Sequence, residues 1–95
     1  MPSNLNDAIP EMGRYKFFRG AYLPSQLTNA PSFDIYPDTA AVIYLETFSY
    51  DNSYILQKLT STHPHSNTNW YTDIWYRKRI QGIWFGWTMA HSLVN

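Results

Sequence analysis

Two histidines, His63 and His65, are the residues whose type and spacing first suggest chemistry, because they flank Pro64 in a His-x-His pattern. Such a pair on a strand can chelate zinc from one face, but a zinc site takes three or four protein ligands. Here the pair falls in the polar segment 62–69, and no third ligand is spaced nearby. We therefore interpret both side chains as solvated loop histidines, and we predict neither a metal site nor a cofactor.

The carboxylates do not define a catalytic pair. A glycosidase needs two carboxyl groups at a specific separation and a raised pKa on one of them. Linear spacing fixes neither, and the chain has no cysteine, Gly-rich phosphate loop or nucleophile elbow. We predict that the protein is not an enzyme. A small polysaccharide-degrading or esterase-like enzyme is the least favoured alternative. The scattered carboxylates are Asp7, Glu11, Asp34, Asp38, Glu46, Asp51 and Asp73.

The one basic run, Arg77-Lys78-Arg79, lies among aromatic residues. Single-stranded nucleic-acid binders combine these residue types, stacking bases on rings and following phosphates with cations. On a strand, however, alternation places Lys78 on the face opposite Arg77 and Arg79. Seven Lys and Arg residues balance seven Asp and Glu residues, whereas nucleic-acid binding requires a basic surplus. We expect no nucleic-acid partner.

Aromatic side chains give the strongest functional signal, since 18% of the 95 residues are aromatic and only 15% are charged. All four tryptophans lie between Trp70 and Trp87. Aromatic rings stack on the apolar faces of sugars, while amide, carboxylate and guanidinium groups bond sugar hydroxyls. The alternative is that most of these rings form the core, with Trp70 and Tyr71 the most exposed. The predicted carbohydrate-binding residues are Trp70, Tyr71, Trp75, Asn67, Asn69, Asp73 and Arg77.

A mainly β domain has to position these residues. We predict a single small antiparallel sheet or sandwich-like domain over residues 1–95, knob-like, with at most one short N-terminal helix. Both faces of 41–50 are apolar, which indicates a central strand covered on both sides. No segment reaches the ~20 apolar residues of a membrane span, and residues 1–4 show no secretory signal. The predicted strands are 14–18, 41–50, 54–61, 70–80 and 83–89, with a hairpin turn at Gln81-Gly82.

Three segments, spanning Asn4 to Met89, resemble the pyocin-type knob domains of phage tail fibres and tailspikes. Trp75-Tyr76-Arg77-x-Arg79, Gly82 and Trp84-x-x-Trp87 are similar to the family's Arg-containing strand, turn and Trp-x-x-Trp strand. Asn4-Leu5-Asn6-Asp7 ahead of Gly13-Arg14-Tyr15 is similar to its opening, and Gln57 matches the Gln that often occurs in its middle strand. Segments 20–39 and 62–69 depart from the family pattern.

The resemblance implies a non-catalytic receptor-binding module of a virion tail, acting extracellularly at the host surface. Its expected partners are host surface polysaccharide and two further copies of the same chain in a homotrimer, without insertion into a membrane. Variable loops commonly carry specificity, so the two departing segments are where specificity would lie. The alternative function is a structural trimerisation knob that has no ligand of its own.

Overall fold

The computed structural model describes residues 1–94, which form mainly a six-stranded antiparallel sheet, and this confirms the predicted fold class. The chain order is β1-β2-β3-β4, and both β5 and β6 pair with β4. Short 3₁₀ turns at Leu5–Asp7 and Pro24–Gln26 flank β1. The strands are β1 (Tyr15–Tyr22), β2 (Ala41–Asp51), β3 (Tyr54–Pro64), β4 (Trp70–Ile80), β5 (Ile83–Trp84) and β6 (Thr88–Val94).

One face of the sheet is covered by the N-terminal segment and by the connection between β1 and β2. Leu5 and Leu27 from these segments pack on Ile43, Leu45 and Leu59 of the central strands. The odd-numbered residues of β2 and β3 all point to this face, because successive side chains of a strand alternate. Each of these large apolar side chains stabilises the fold by about 1.5–3 kcal/mol when it is fully buried. We call this side of the sheet the covered face.

The opposite side of the sheet has no covering layer within residues 1–94. Val42, Tyr44, Phe48 and Tyr50 of β2 point there, and their exposed fractions run from 38% to 77%. The prediction that both faces of 41–50 are covered is therefore wrong, because both covering segments pack on the same side. We call this side the open face. Its exposed large apolar residues are Tyr15, Phe17, Val42, Tyr44, Phe48, Tyr50, Tyr54, Leu56, Trp70, Tyr76, Ile80, Ile83 and Leu93.

Strand β3 is longer than the sequence pattern indicates, since it continues through His63 to Pro64. His63 follows Leu59 and Ser61 on the covered face and is fully buried. The interpretation of His63 as a solvated loop histidine is therefore wrong, whereas His65 lies in the loop and is partly exposed. The predicted final strand 83–89 is likewise divided, because residues 85–87 leave the sheet between β5 and β6.

The turn between β4 and β5 requires left-handed backbone at two successive residues, with φ of 51° at Gln81 and 79° at Gly82. This agrees with the predicted hairpin turn. A side chain at Gly82 is strained by about 1 kcal/mol or more, because L-residues disfavour positive φ. We expect Gly82→Ala to lower the free energy of unfolding by about that amount in urea titration.

Gly86→Ala is the matched control for this substitution. Its φ is not positive, and an added Cβ would meet no atom within 4 Å. An equal loss of stability in both variants would contradict the assignment of strain to the turn.

Candidate functional site

A buried cation, Arg77, lies at the junction of the residues that carry the family resemblance. Strand β4 places it directly opposite Gln57 of β3, with both side chains on the covered face. Its Nε donates a 2.6 Å hydrogen bond to Gln57 Oε1. The amide nitrogen of Gln57 in turn donates to the backbone carbonyls of Leu5, at 2.9 Å, and Ala8, at 3.3 Å. This chain of bonds ties the N-terminal turn to two central strands.

Two indole rings complete the surroundings of Arg77. Its guanidinium carbon lies 3.9 Å from the ring centroid of Trp84 and 4.8 Å from that of Trp87, both within the range of cation–π attraction. Trp87 donates through Nε1 to the backbone carbonyl of Asn29 at 2.8 Å. Burial lowers the pKa of Arg77 to about 10, because desolvation disfavours the charged form. We call Arg77, Gln57, Trp84 and Trp87 the Arg77 cluster.

A second group of candidate residues lies at the end of the sheet where β3 passes into β4. Asn67, Asn69 and Trp70 are exposed there, and Trp70 has 45% of its surface accessible. The Tyr71 ring stacks on His65, with centroids 4.4 Å apart and planes 5° from parallel. We call this group the loop-end surface: His65, Asn67, Asn69, Trp70 and Tyr71.

Internal bonds hold the backbone of this loop. The amide of His65 donates to the carbonyl of Asn69 at 2.8 Å, and the amide of Asn69 donates to Ser66 Oγ at 3.1 Å. His65 Nδ1 also lies 3.1 Å from the carboxylate of Asp34, which belongs to the connection between β1 and β2. The loop-end surface is thus attached to both segments that depart from the family pattern.

The structure divides the seven predicted carbohydrate-binding residues into two groups. Asn67, Asn69, Trp70 and Tyr71 lie together at the loop end, although Tyr71 is half-buried rather than exposed. The other three, Asp73, Trp75 and Arg77, point to the covered face. Arg77 is 5% exposed and Asp73 is 4% exposed, while Trp75 packs against the core. The loop end is therefore the part of the predicted site that a large ligand can reach in this structure.

A Ser-His-Asp sequence of contacts runs beneath the loop end. Ser61 Oγ lies 2.8 Å from His63 Nδ1, and His63 Nε2 lies 3.6 Å from a carboxylate oxygen of Asp73. Ser92 donates to the other oxygen of Asp73 at 2.5 Å. The order resembles that of a hydrolase triad, but Ser61 and His63 are both fully buried. A substrate cannot reach the hydroxyl in this conformation.

Within residues 1–94, no group of three or more His, Cys, Asp or Glu side chains could hold a metal ion. Over the same residues, no helix is long and apolar enough to cross a membrane.

Comparisons with protein-family models, with curated proteins and with solved structures found no match to the chain. The resemblance to pyocin-type knob domains therefore stays a prediction from its motif residues. The predicted carbohydrate site likewise stays a prediction.

Sequence reasoning missed two features of the site region. The resemblance includes Gln57, but the sequence does not predict its burial or its four hydrogen-bonding partners, Leu5, Ala8, Thr47 and Arg77. The open face was missed as well, although alternating apolar residues on neighbouring strands mark it. Even-numbered positions 42, 44, 48, 50, 54 and 56 are all apolar or aromatic, and a face with that pattern is either covered or an interface.

Gln57 is expected to be a key stabilising residue. Gln57→Leu leaves two backbone carbonyls and the Nε of Arg77 without their partner, and each unpaired buried group costs about 1–3 kcal/mol. We expect a loss of about 2 kcal/mol or more in the free energy of unfolding, measured in urea. Arg77→Met disturbs the same bonds, so the double variant should lose clearly less than the sum.

Gln26→Leu is the matched control, because it removes only the exposed hydrogen bond from the amide of Leu23 to the Gln26 side chain. Full additivity of Gln57→Leu and Arg77→Met would contradict a shared network.

His63 should make stability fall with acidification. Burial lowers its pKa, while the nearby Asp73 carboxylate acts in the opposite direction to a smaller extent. Below about pH 6.5 the unfolded chain takes up a proton that the folded chain resists, so stability decreases as pH falls, by at most ~1.4 kcal/mol per pH unit. The decrease ends once His63 is also protonated in the folded state.

The check is the urea midpoint at pH values on both sides of this threshold. His63→Gln should flatten the profile, whereas His91→Gln, at an exposed position of β6, should leave the slope intact. The assignment fails if His63→Gln keeps the slope of the parent protein.

Proposed function

We propose that this protein is a non-catalytic module of the phage tail-fibre or tailspike kind and that it binds host surface carbohydrate through the loop-end surface. The observation that carries the proposal is the grouping of Asn67, Asn69 and Trp70, all exposed, beside the stacked Tyr71 and His65 rings. An exposed indole supplies a flat apolar surface for a sugar ring. The amide groups supply both donors and acceptors for its hydroxyls.

The Arg77 cluster supports the tail-fibre part of the proposal. The motif pieces that carry the resemblance are far apart in the sequence, and each one is degenerate. In the fold they meet: Gln57 binds the carbonyl of Leu5 at the family-like opening, and Arg77 lies against the two rings of Trp84-x-x-Trp87. Because these residues contact one another in the fold, their joint occurrence in the sequence counts as one pattern rather than as several separate matches.

Weak single-site binding is the expected mode of recognition. The side chains at the loop end are exposed, so each copy surrounds little of a ligand and immobilises few of its groups. A homotrimer, as the resemblance predicts, would present three such surfaces to a repetitive polysaccharide and gain avidity from linkage. The proposed place of action is the virion tail, outside the host cell.

The second candidate function is a structural trimer module without a ligand. The observation that favours it is the inward orientation of Asp73, Trp75 and Arg77. Each of these residues has a structural role: Arg77 belongs to the Arg77 cluster, and Trp75 packs on the core. Asp73 contacts Ser92 and His63. Under this alternative, assembly persists and no glycan binds.

Trp70→Ala tests the carbohydrate proposal. On an array of bacterial surface polysaccharides, the parent protein should bind one or more glycans, and Trp70→Ala should weaken that binding about tenfold or more, since exposed aromatic anchors carry much of such affinity. Asn69→Ala should weaken it by less, because it removes only hydrogen bonds.

Phe85→Ala is the matched control, because Phe85 is exposed to a similar extent, at 49%, but lies beyond the opposite end of β4. Binding that survives Trp70→Ala and Asn69→Ala unchanged would remove the loop end as the site. A protein that assembles but binds no glycan would favour the structural alternative.

A further inference from the structure

We infer that the open face is the surface through which copies of this chain associate, so that a second copy provides the layer that the monomer lacks. The inferred interface is centred on β1–β3 and adjoins the proposed glycan site only at Trp70, which lies at the loop end of the open face. Like the proposed function, the inference expects several copies of the chain to assemble, and it rests on that proposal in no other respect.

Three pairs of aromatic rings lie on the open face. The Tyr15 and Phe48 rings are in contact across β1 and β2, with centroids 4.9 Å apart, and Phe17 stacks on Tyr44 at 6.2 Å. Tyr50 meets Tyr54 across the β2–β3 turn at 6.4 Å. Together with the exposed aliphatic residues of neighbouring strands, these rings make the open face largely apolar, and large exposed apolar patches are uncommon on monomers.

Composition places this patch among protein interfaces. Tyrosine and phenylalanine are enriched at the centres of interfaces, whereas charged residues are depleted there. The open face has few charges: Arg19, Glu46, Lys58 and Lys78. Glu46 and Lys58 already lie 3.9 Å apart.

The size of the open face matches what a stable contact between two chains requires. Strands β2, β3 and β4 each have 11 residues and β1 has 8. At strand spacings of ~4.8 Å and a rise of ~3.3 Å per residue, four such strands cover on the order of 600–700 Å². A standard specific interface buries about 800 Å² on each partner, with a spread of about 200 Å². The open face alone therefore reaches the required range.

A second copy of this chain is the occupant that best fits the chemistry. The face has three cations and one carboxylate, and Glu46 already lies near Lys58, so few charges lose water when a copy covers it. The chain has zero formal net charge, and no overall repulsion opposes its self-association. Two sheets that pack face to face form a sandwich with an interleaved core about 10 Å thick. The aromatic face then becomes interior, as the covered face already is.

The test is the mass of the complete chain in solution, measured by sedimentation velocity over a wide range of concentration. The parent protein should sediment as two or three chains. Tyr44→Glu and Leu56→Glu place a carboxylate on the open face and should weaken association about tenfold or more. Met12→Glu is the matched control, because Met12 is 69% exposed and lies outside the open face. It should leave the mass unchanged.

A second measurement keeps the inference open to refutation if the face variants fail to fold. Hydroxyl-radical footprinting of the parent protein should show Tyr44, Phe48 and Tyr54 becoming protected as concentration rises, while Met12 stays reactive. A mass of one chain at every concentration overturns the inference, since the face then has another occupant or none. An oligomer whose mass ignores the face variants and whose open face stays reactive also overturns it.

These results are separable from the glycan proposal. An oligomer held by the open face without glycan affinity removes only the carbohydrate function. A monomer that binds glycan through Trp70 removes only the inferred interface.

Discussion

A charged guanidinium inside a small domain is the constraint on which the rest of this fold depends. Arg77 is nearly inaccessible, and no carboxylate pairs with it among the described residues. A buried charge without compensation is expensive, so its surroundings must supply the compensation. Two indole faces and the oxygen of Gln57 supply part of it, while Nη2 of Arg77 is buried without a hydrogen-bond partner among the described residues. Because these groups come from β3, β4 and the C-terminal segment, the charge keeps those parts together.

The same constraint explains why one side of the sheet is closed and the other open. Gln57 extends the bonds of Arg77 to the carbonyls of Leu5 and Ala8, which holds the N-terminal turn on the covered face. Trp87 extends them to the carbonyl of Asn29 in the connection between β1 and β2. Both covering segments are therefore drawn to the side that carries Arg77. A 95-residue chain has little left to cover a second face, and its aromatic side chains stay exposed there.

Sequence patterns predicted the strands better than the environments of their faces. Alternation in 41–50 assigned the residues of β2 to the correct faces of the sheet. It could not show that only one face is covered, because both faces are apolar in sequence. The burial of His63 was hidden for a related reason. Its neighbours 65–69 are polar and typical of a loop, whereas the strand register from Leu59 continues through His63 and ends just before them, at Pro64. For the carbohydrate site, residue type indicated seven candidates, and strand alternation places Tyr71, Asp73, Trp75 and Arg77 on the covered face. Of these four, Tyr71 lies closest to the loop, at the second position of β4.

The placement of the two functional regions along β4 has a practical consequence for protein engineering. Trp70 begins this strand and Arg77 lies seven residues further on, a separation of about 23 Å at the rise of an extended chain. The loop 65–69 is closed by its own backbone bonds, and the hydrogen bonds and ring contacts that define the Arg77 cluster do not involve it. The domain thus has the layout of a display scaffold, in which a foreign recognition loop can be grafted at one end while the opposite end continues to specify the fold.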